Sequence, residues 1–179
     1  MALARRGLVP HWRGLHDPGK MSKEFTDLDE REILALAIAL EEEDSRIYRD
    51  FAEKLKTNHP ATASVLESMW AEEISHHARL LATFKQKHGD HIPFVRRQDV
   101  KGFVKRTPMW LNRILQPRRV LRTAMAMEAE TRRFYREAAN TVTSTELRDL
   151  LIELADAEED HQDALVDLTK AKKSAQLEN

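Results

Sequence analysis

Residues 39–52 recur 87 positions later as residues 126–139. Ala39, Glu41, Glu43, Arg46, Tyr48, Arg49 and Ala52 are matched by Ala126, Glu128, Glu130, Arg133, Tyr135, Arg136 and Ala139, seven identities in fourteen positions. A second alignment, offset by 85, pairs Leu66, Glu73, His76 and Leu80 with Leu151, Glu158, His161 and Leu165. The chain therefore carries two copies of a helical hairpin, and a fold of two matched halves is expected.

Helical geometry shows where these residues lie. Positions 34, 41, 48 and 55 read Leu, Glu, Tyr, Leu, and positions 121, 128, 135 and 142 read Leu, Glu, Tyr, Val. Seven residues is nearly two turns, so each Glu falls within an apolar stripe. Leu66, Met69, Glu73, His76 and Leu80 share a face of the second helix. Leu151, Leu154, Glu158, His161, Leu165 and Leu168 do the same on the fourth.

Composition agrees with long solvated helices: 33% of residues are charged and only five are glycine. With no cysteine, disulfides, thiol catalysis, thiolate zinc sites and Cys-ligated iron–sulfur clusters are excluded. The longest apolar run, Ile33–Leu40, is far short of a membrane span, so a soluble, cytoplasmic chain is expected. The net charge of −1 conceals a partition: +3 over residues 1–20, −6 over 21–90, +8 over 91–122 and −6 over 123–179.

Residues 1–20 show no periodicity and no apolar stretch fit for a signal peptide, and read as a disordered extension or expression remnant. Residues 21–179 read as one all-α domain with helices at about 27–57, 60–88, 117–140 and 144–170. Thr26 and Asp27 are candidate caps with Asp29 and Glu30 in the first turn, Pro60 suits a helix start, His88-Gly89 a stop, and Thr143–Glu146 a capping box. About 28 residues separate the middle helices, broken by Pro93, Gly102 and Pro108, with Met109–Leu115 a candidate short helix. A long connector between two hairpins is the mark of a four-helix bundle with one crossover, as in ferritin-like folds. Such a connector also permits a hairpin-swapped homodimer.

Four unpaired carboxylates in a bundle core would each cost several kcal/mol or take up a proton. Metal ions resolve that cost, since two divalent cations balance four carboxylates. Glutamates can bridge the pair while each His supplies one nitrogen, and the i, i+3 spacing of Glu-x-x-His sets both side chains on one side of a turn. Oxygen-rich ligation with two imidazoles suits iron or manganese better than tetrahedral structural zinc. One Glu-x-x-His in a charged helix is a weak signal. Two in repeat-equivalent places, each following a Glu-x6-Tyr helix, form a strong one.

This arrangement resembles the rubrerythrin branch of the ferritin-like diiron family over about residues 26–170. The resemblance implies a diiron centre with Glu41, Glu73, His76, Glu128, Glu158 and His161 as ligands, and Tyr48 and Tyr135 beside it, hydrogen-bonded to ligands. Manganese or zinc are substitute metals. Two departures stand out. Rubrerythrins usually carry a second Glu three residues after the third-helix ligand, where this chain has Thr131; the first-helix counterpart, Asp44, is then a candidate extra ligand. Rubrerythrins proper also carry a four-cysteine rubredoxin domain that delivers electrons, and no cysteine is present here. Within the branch the chain is most similar to the N-terminal domain of membrane-bound ferritins, on its Phe25–Glu32 opening and on Lys170, Lys172 and Lys173 near its end. That similarity implies ferrous iron oxidation by O₂ or H₂O₂ in a bacterial iron-export or detoxification protein, with a C-terminal membrane transporter domain attached. The alternatives are a peroxide reductase with an external electron donor, a non-catalytic metal-sensing or dimerisation domain, and a metal-free structural bundle.

The connector's Arg96, Arg97, Lys101, Lys105, Arg106, Arg113, Arg118, Arg119 and Arg122, with Phe94, Phe103 and Trp110 interspersed, offer contacts to anionic lipid, to a second chain or to the acidic helices. No nucleic-acid partner is expected. Glu43 and Glu130 are expected to face away from the core, Glu42, Glu72 and Glu159 to be solvated, His77 to flank the site or lie at the surface, and Trp70 to pack in the core.

Overall fold

A computed structural model describes residues 23–101 and 116–177, with side chains to residue 171. Four helices account for nearly all of it: α1 (Glu30–Leu55), α2 (Pro60–His88), α3 (Pro117–Thr141) and α4 (Thr145–Leu177). α1 packs on α2 and α3 on α4 as hairpins, and the hairpins meet through α1 against α3 and α2 against α4. Contacts between α1 and α3 join Tyr48 to Glu128, Asp44 to Thr131 and Glu41 to Tyr135, so these two helices run antiparallel and the repeats face each other about an approximate two-fold axis. The ferritin-like four-helix bundle is thereby realised.

The interior has two apolar ends and a polar middle. One cluster gathers Ile33, Leu36, Leu40, Leu80, Phe84, Leu147, Leu151 and Leu154 around the α1 start and α2 end. The other gathers Phe51, Leu55, Leu66, Met69, Val120, Leu121 and Leu165 at the opposite end. Each fully buried large apolar side chain contributes roughly 1.5–3 kcal/mol. Together the two ends clamp the polar layer between them.

Helix starts depart from expectation in two places. α1 starts at Glu30, because Phe25 and Leu28 are buried in the core and Leu28 is extended; Phe25 meets Phe134 edge-on at 5.7 Å between centroids. The cap is Asp29, not Thr26 or Asp27: its Oδ1 accepts from the Glu32 amide at 2.8 Å, and the Glu32 carboxylate accepts from the Asp29 amide at 3.3 Å. Asp29→Ala is expected to cost about 1 kcal/mol of stability, read as a small fall in thermal midpoint. At α4 the expected Thr143–Glu146 box gives way to Ser144, whose Oγ accepts from the Leu147 amide at 3.3 Å. Glu30 reaches over from α1 and accepts from the amides of Thr143 and Ser144, both at 2.8 Å, which holds its carboxyl below the usual range; Glu146 pairs instead with Lys87.

The α2 and α3 boundaries and the end of α1 agree with expectation to within two residues, whereas α4 runs on to Leu177, seven residues past its expected end. Pro60 opens α2, where its missing N–H costs nothing, and Gly89 closes it at φ +78°, its amide donating to the Lys85 carbonyl at 3.0 Å. After Gly89 the chain passes a short 3-10 turn at Arg97–Asp99 and pairs with the N-terminal segment: Lys23 N–H donates to Asp99 O and Lys101 N–H to Lys23 O, both at 2.8 Å. The 1–20 extension, the Met109–Leu115 helix and Phe103, Lys105, Arg106, Trp110 and Arg113 lie outside the described residues, as do the side chains of Lys172 and Lys173. Among the described residues, no helix is long and apolar enough to cross a membrane.

Candidate metal centre

The polar layer is built by the repeat. The Glu-x6-Tyr stripes of α1 and α3 and the Glu-x-x-His stripes of α2 and α4 converge midway along the bundle. Glu41, Glu73, Glu128 and Glu158 are at most 2% exposed, His76 8% and His161 5%. Two ligand sets form, each with its donor atoms within 4.8 Å of one another: Glu41, Glu73, His76 and Glu158, and Glu73, Glu128, Glu158 and His161. Glu73 and Glu158, the carboxylates of the two Glu-x-x-His motifs, belong to both. Glu41 with His76, and Glu128 with His161, each belong to one. His76 Nδ1 lies 3.5 Å from Glu73 and 3.7 Å from Glu41, and His161 Nδ1 lies 3.4 Å from Glu73, 3.3 Å from Glu128 and 3.7 Å from Glu158.

Both tyrosines are fully buried and donate across the two-fold: Tyr48 to Glu128, and Tyr135 to Glu41. Each repeat's phenol thus orients the other repeat's carboxylate. Burial, and then the nearby glutamate charges, push both phenol pKa values well up, so the protons stay on oxygen.

Protonation in the cluster follows from crowding. Burial drives Glu41 and Glu158 well above the usual carboxylate range, and the neighbouring Glu73 and Glu128 respectively add to the effect. Burial opposes ionisation of Glu73 too, but the adjacent Glu41, His161 and His76 outweigh it and hold Glu73 below that range. Burial likewise works against the imidazolium of His76, yet Glu41 and Glu73 raise its pKa to about 9; Glu128, Glu158 and Glu73 raise His161 further. Crowding in the metal-free cluster therefore favours protons on Glu41, Glu158, His76 and His161 over further charge. Three buried atoms in it, Glu41 Oε2, His76 Nδ1 and Glu158 Oε1, have no hydrogen-bond partner. Buried polar atoms are rarely left so, and all three belong to residues of the two sets. Four carboxylates, two imidazoles and these unpartnered atoms fit a pair of divalent cations, which would displace the protons.

Other residues differ from expectation. Asp44 is buried but lies outside both ligand sets; it accepts from Thr131 Oγ1 at 3.2 Å, its counterpart in the other repeat. Glu43 and Glu130 are half-buried rather than turned to solvent, because Arg97 of the connector pairs with Glu43 and is drawn to Glu130. That contact realises the neutralising role open to the basic connector. Glu42 and Glu159 are solvated as expected, paired with Arg46 and Arg132. Glu72, expected to be solvated, keeps half its side chain exposed but accepts a hydrogen bond from His161 Nε2 at 3.0 Å. The i, i+1 position beside a ligand gave no sign of this, since the contact is made to another helix. His77 is half-buried, and Trp70 packs against the second apolar cluster.

A four-helix bundle whose antiparallel halves each contribute two glutamates and a histidine to one buried centre defines the ferritin-like carboxylate proteins. The rubrerythrin family model matches residues 32–169, and the chain belongs to that family. No curated protein and no solved structure matches it.

Proposed function

We propose that the chain binds ferrous iron as a pair of ions and oxidises it, acting as the iron-handling domain of an iron-export or iron-detoxification protein. The observation that carries this reading is the sharing of Glu73 and Glu158 between two complete ligand sets. Glu41 and His76 would hold one ion and Glu128 and His161 the other, with Glu73 and Glu158 between them. When bound, the pair supplies two electrons, becoming two ferric ions, while H₂O₂ takes up two protons and forms two waters, or O₂ takes up two protons and forms H₂O₂.

The chain's own residues set the conditions. Tyr48 and Tyr135 fix the carboxylates of Glu128 and Glu41, limiting the reorganisation needed on loading. The apolar clusters at both ends exclude water along the bundle axis. Protons held on Glu41, Glu158, His76 and His161 leave as metal enters. Attachment to a membrane transporter domain is part of this proposal and rests on the similarity of the Phe25–Glu32 opening and the Lys170 region to membrane-bound ferritins.

Anaerobic Fe(II) titration followed by O₂ or H₂O₂ tests the reading. Two irons per chain and the near-ultraviolet charge-transfer absorption of a ferric pair are expected. Fewer than two irons, with no such absorption, would sink it. Sustained peroxide consumption with an added reductase would move the assignment to peroxide reduction.

A further inference from the structure

The two repeats differ at many positions, and one of those differences touches the centre. Glu72 on α2 accepts from His161 Nε2 at 3.0 Å, while His161 Nδ1 faces Glu73, Glu128 and Glu158. The repeat-equivalent residue on α4, which would stand behind His76, is Ala157. Glu153, the α4 carboxylate whose charge reaches His76, is committed to Arg79 at 2.7 Å. Among the described residues, His161 is therefore backed by a carboxylate and His76 is not.

We propose that Glu72 is a positioning residue that makes the two metal positions unequal, so that the Glu128–His161 position fills first and more tightly than the Glu41–His76 position. The physical reason is that a carboxylate accepting one imidazole N–H fixes the tautomer, holds the ring plane and strengthens the other nitrogen as a donor; loss of such a partner costs about 10–100-fold in metal affinity. Nδ1 of His161 is thus preset as the metal-facing atom. The His76 ring, at 6.0 Å and 26° from that of His161, has the same approach to the centre without that support. Loading is then ordered, with one half taking the first ion and the other completing the pair.

The inference rests on the reading that the cluster takes two divalent ions, and Zn(II) separates the two questions. The full chain, with ¹⁵N-labelled histidine, is titrated with Zn(II) while calorimetry gives the two affinities and NMR follows each ring. Expected are a tighter step that perturbs His161 and a weaker step that perturbs His76, about tenfold or more apart, with His161 keeping its Nε2 proton. Glu72→Ala should weaken the tighter step by about 10–100-fold and leave the weaker one in place, and Glu72→Gln, which keeps an acceptor and the side-chain shape, should fall between. Ala157→Glu should strengthen the weaker step. A residue that merely stabilised the fold would lower the melting temperature without changing the ratio of the two steps. Equal steps in the unmodified chain, equal loss in both on Glu72→Ala, or zinc on His161 Nε2 would overturn the inference alone. Failure to bind two zinc ions at all would overturn the functional reading with it.

Discussion

Glu73→Ala is expected to abolish binding of both metal ions, whereas Glu41→Ala should remove one. Glu73 belongs to both ligand sets and lies within 3.5 Å of the Nδ1 atoms of both histidines, while Glu41 belongs to one set. Loss of a shared ligand should lower affinity at both positions by more than about 100-fold, beyond the effect of an outer partner. The metal-free fold suffers too. Removing the ionised member of a buried network leaves His76 and His161 charged with less compensation, at a cost of about 3–5 kcal/mol. For a chain of this size that lowers the melting temperature by roughly 6–20 °C. Glu41 is held as a neutral acid, so its removal chiefly strands the Tyr135 hydroxyl, at about 1–3 kcal/mol. Elemental analysis after loading with Mn(II), paired with melting curves in chelator, distinguishes the variants. Retention of two ions by Glu73→Ala would refute the shared-ligand assignment.

The second large effect is a pH dependence of opposite sign for the metal-free and metal-loaded protein. His76 carries its proton up to about pH 9 in the folded chain against an unperturbed 6.5, so its stabilising contribution, about 3 kcal/mol, is complete below pH 6.5 and is lost as pH rises through about 9. Glu41 and Glu158, also raised, lose their contribution in the same direction from about pH 4.5 upward. Glu73 has the opposite sign, contributing above about pH 4.5 and failing only in stronger acid. The metal-free protein should therefore melt at progressively lower temperature from pH 6.5 to 9. Metal binding runs the other way, because up to four protons leave the cluster. The association constant for the pair should rise by up to about 10⁴ per pH unit near neutrality. Anaerobic Mn(II) calorimetry in buffers of different ionisation enthalpy counts the protons directly. Release of fewer than one proton per pair would contradict the protonation pattern described above.

The ordered-loading inference alters how these two experiments are read. Should Glu72 set the order, Glu41→Ala leaves the tighter position intact and the single retained ion should perturb His161. Glu128→Ala would leave the weaker position, and the retained ion should perturb His76.

Periodicity and duplication were enough to place four helices, their pairing into hairpins, and the six residues that meet at the centre. Each of those properties is carried by side chains at i, i+3, i+4 and i+7, and a helix converts such spacing into a common face whatever it packs against. Helix starts were less legible. Thr26 and Asp27 were the capping candidates, and burial of Phe25 and Leu28 moved the cap to Asp29. The Ser144 end of α4 depends on Glu30, 114 residues away in sequence.

By itself, then, the sequence determined the class of fold and the composition of a centre with four carboxylates and two histidines, because an apolar stripe interrupted at matching places admits few arrangements. Tertiary structure alone decided how those groups divide. It made Glu73 and Glu158 common to both halves, turned Asp44 to Thr131, closed Arg97 onto Glu43, and set Glu72 behind only one of the two histidines. These are contacts between different elements, fixed by the crossing of two hairpins at distances of a few ångströms, and no spacing along one helix encodes them.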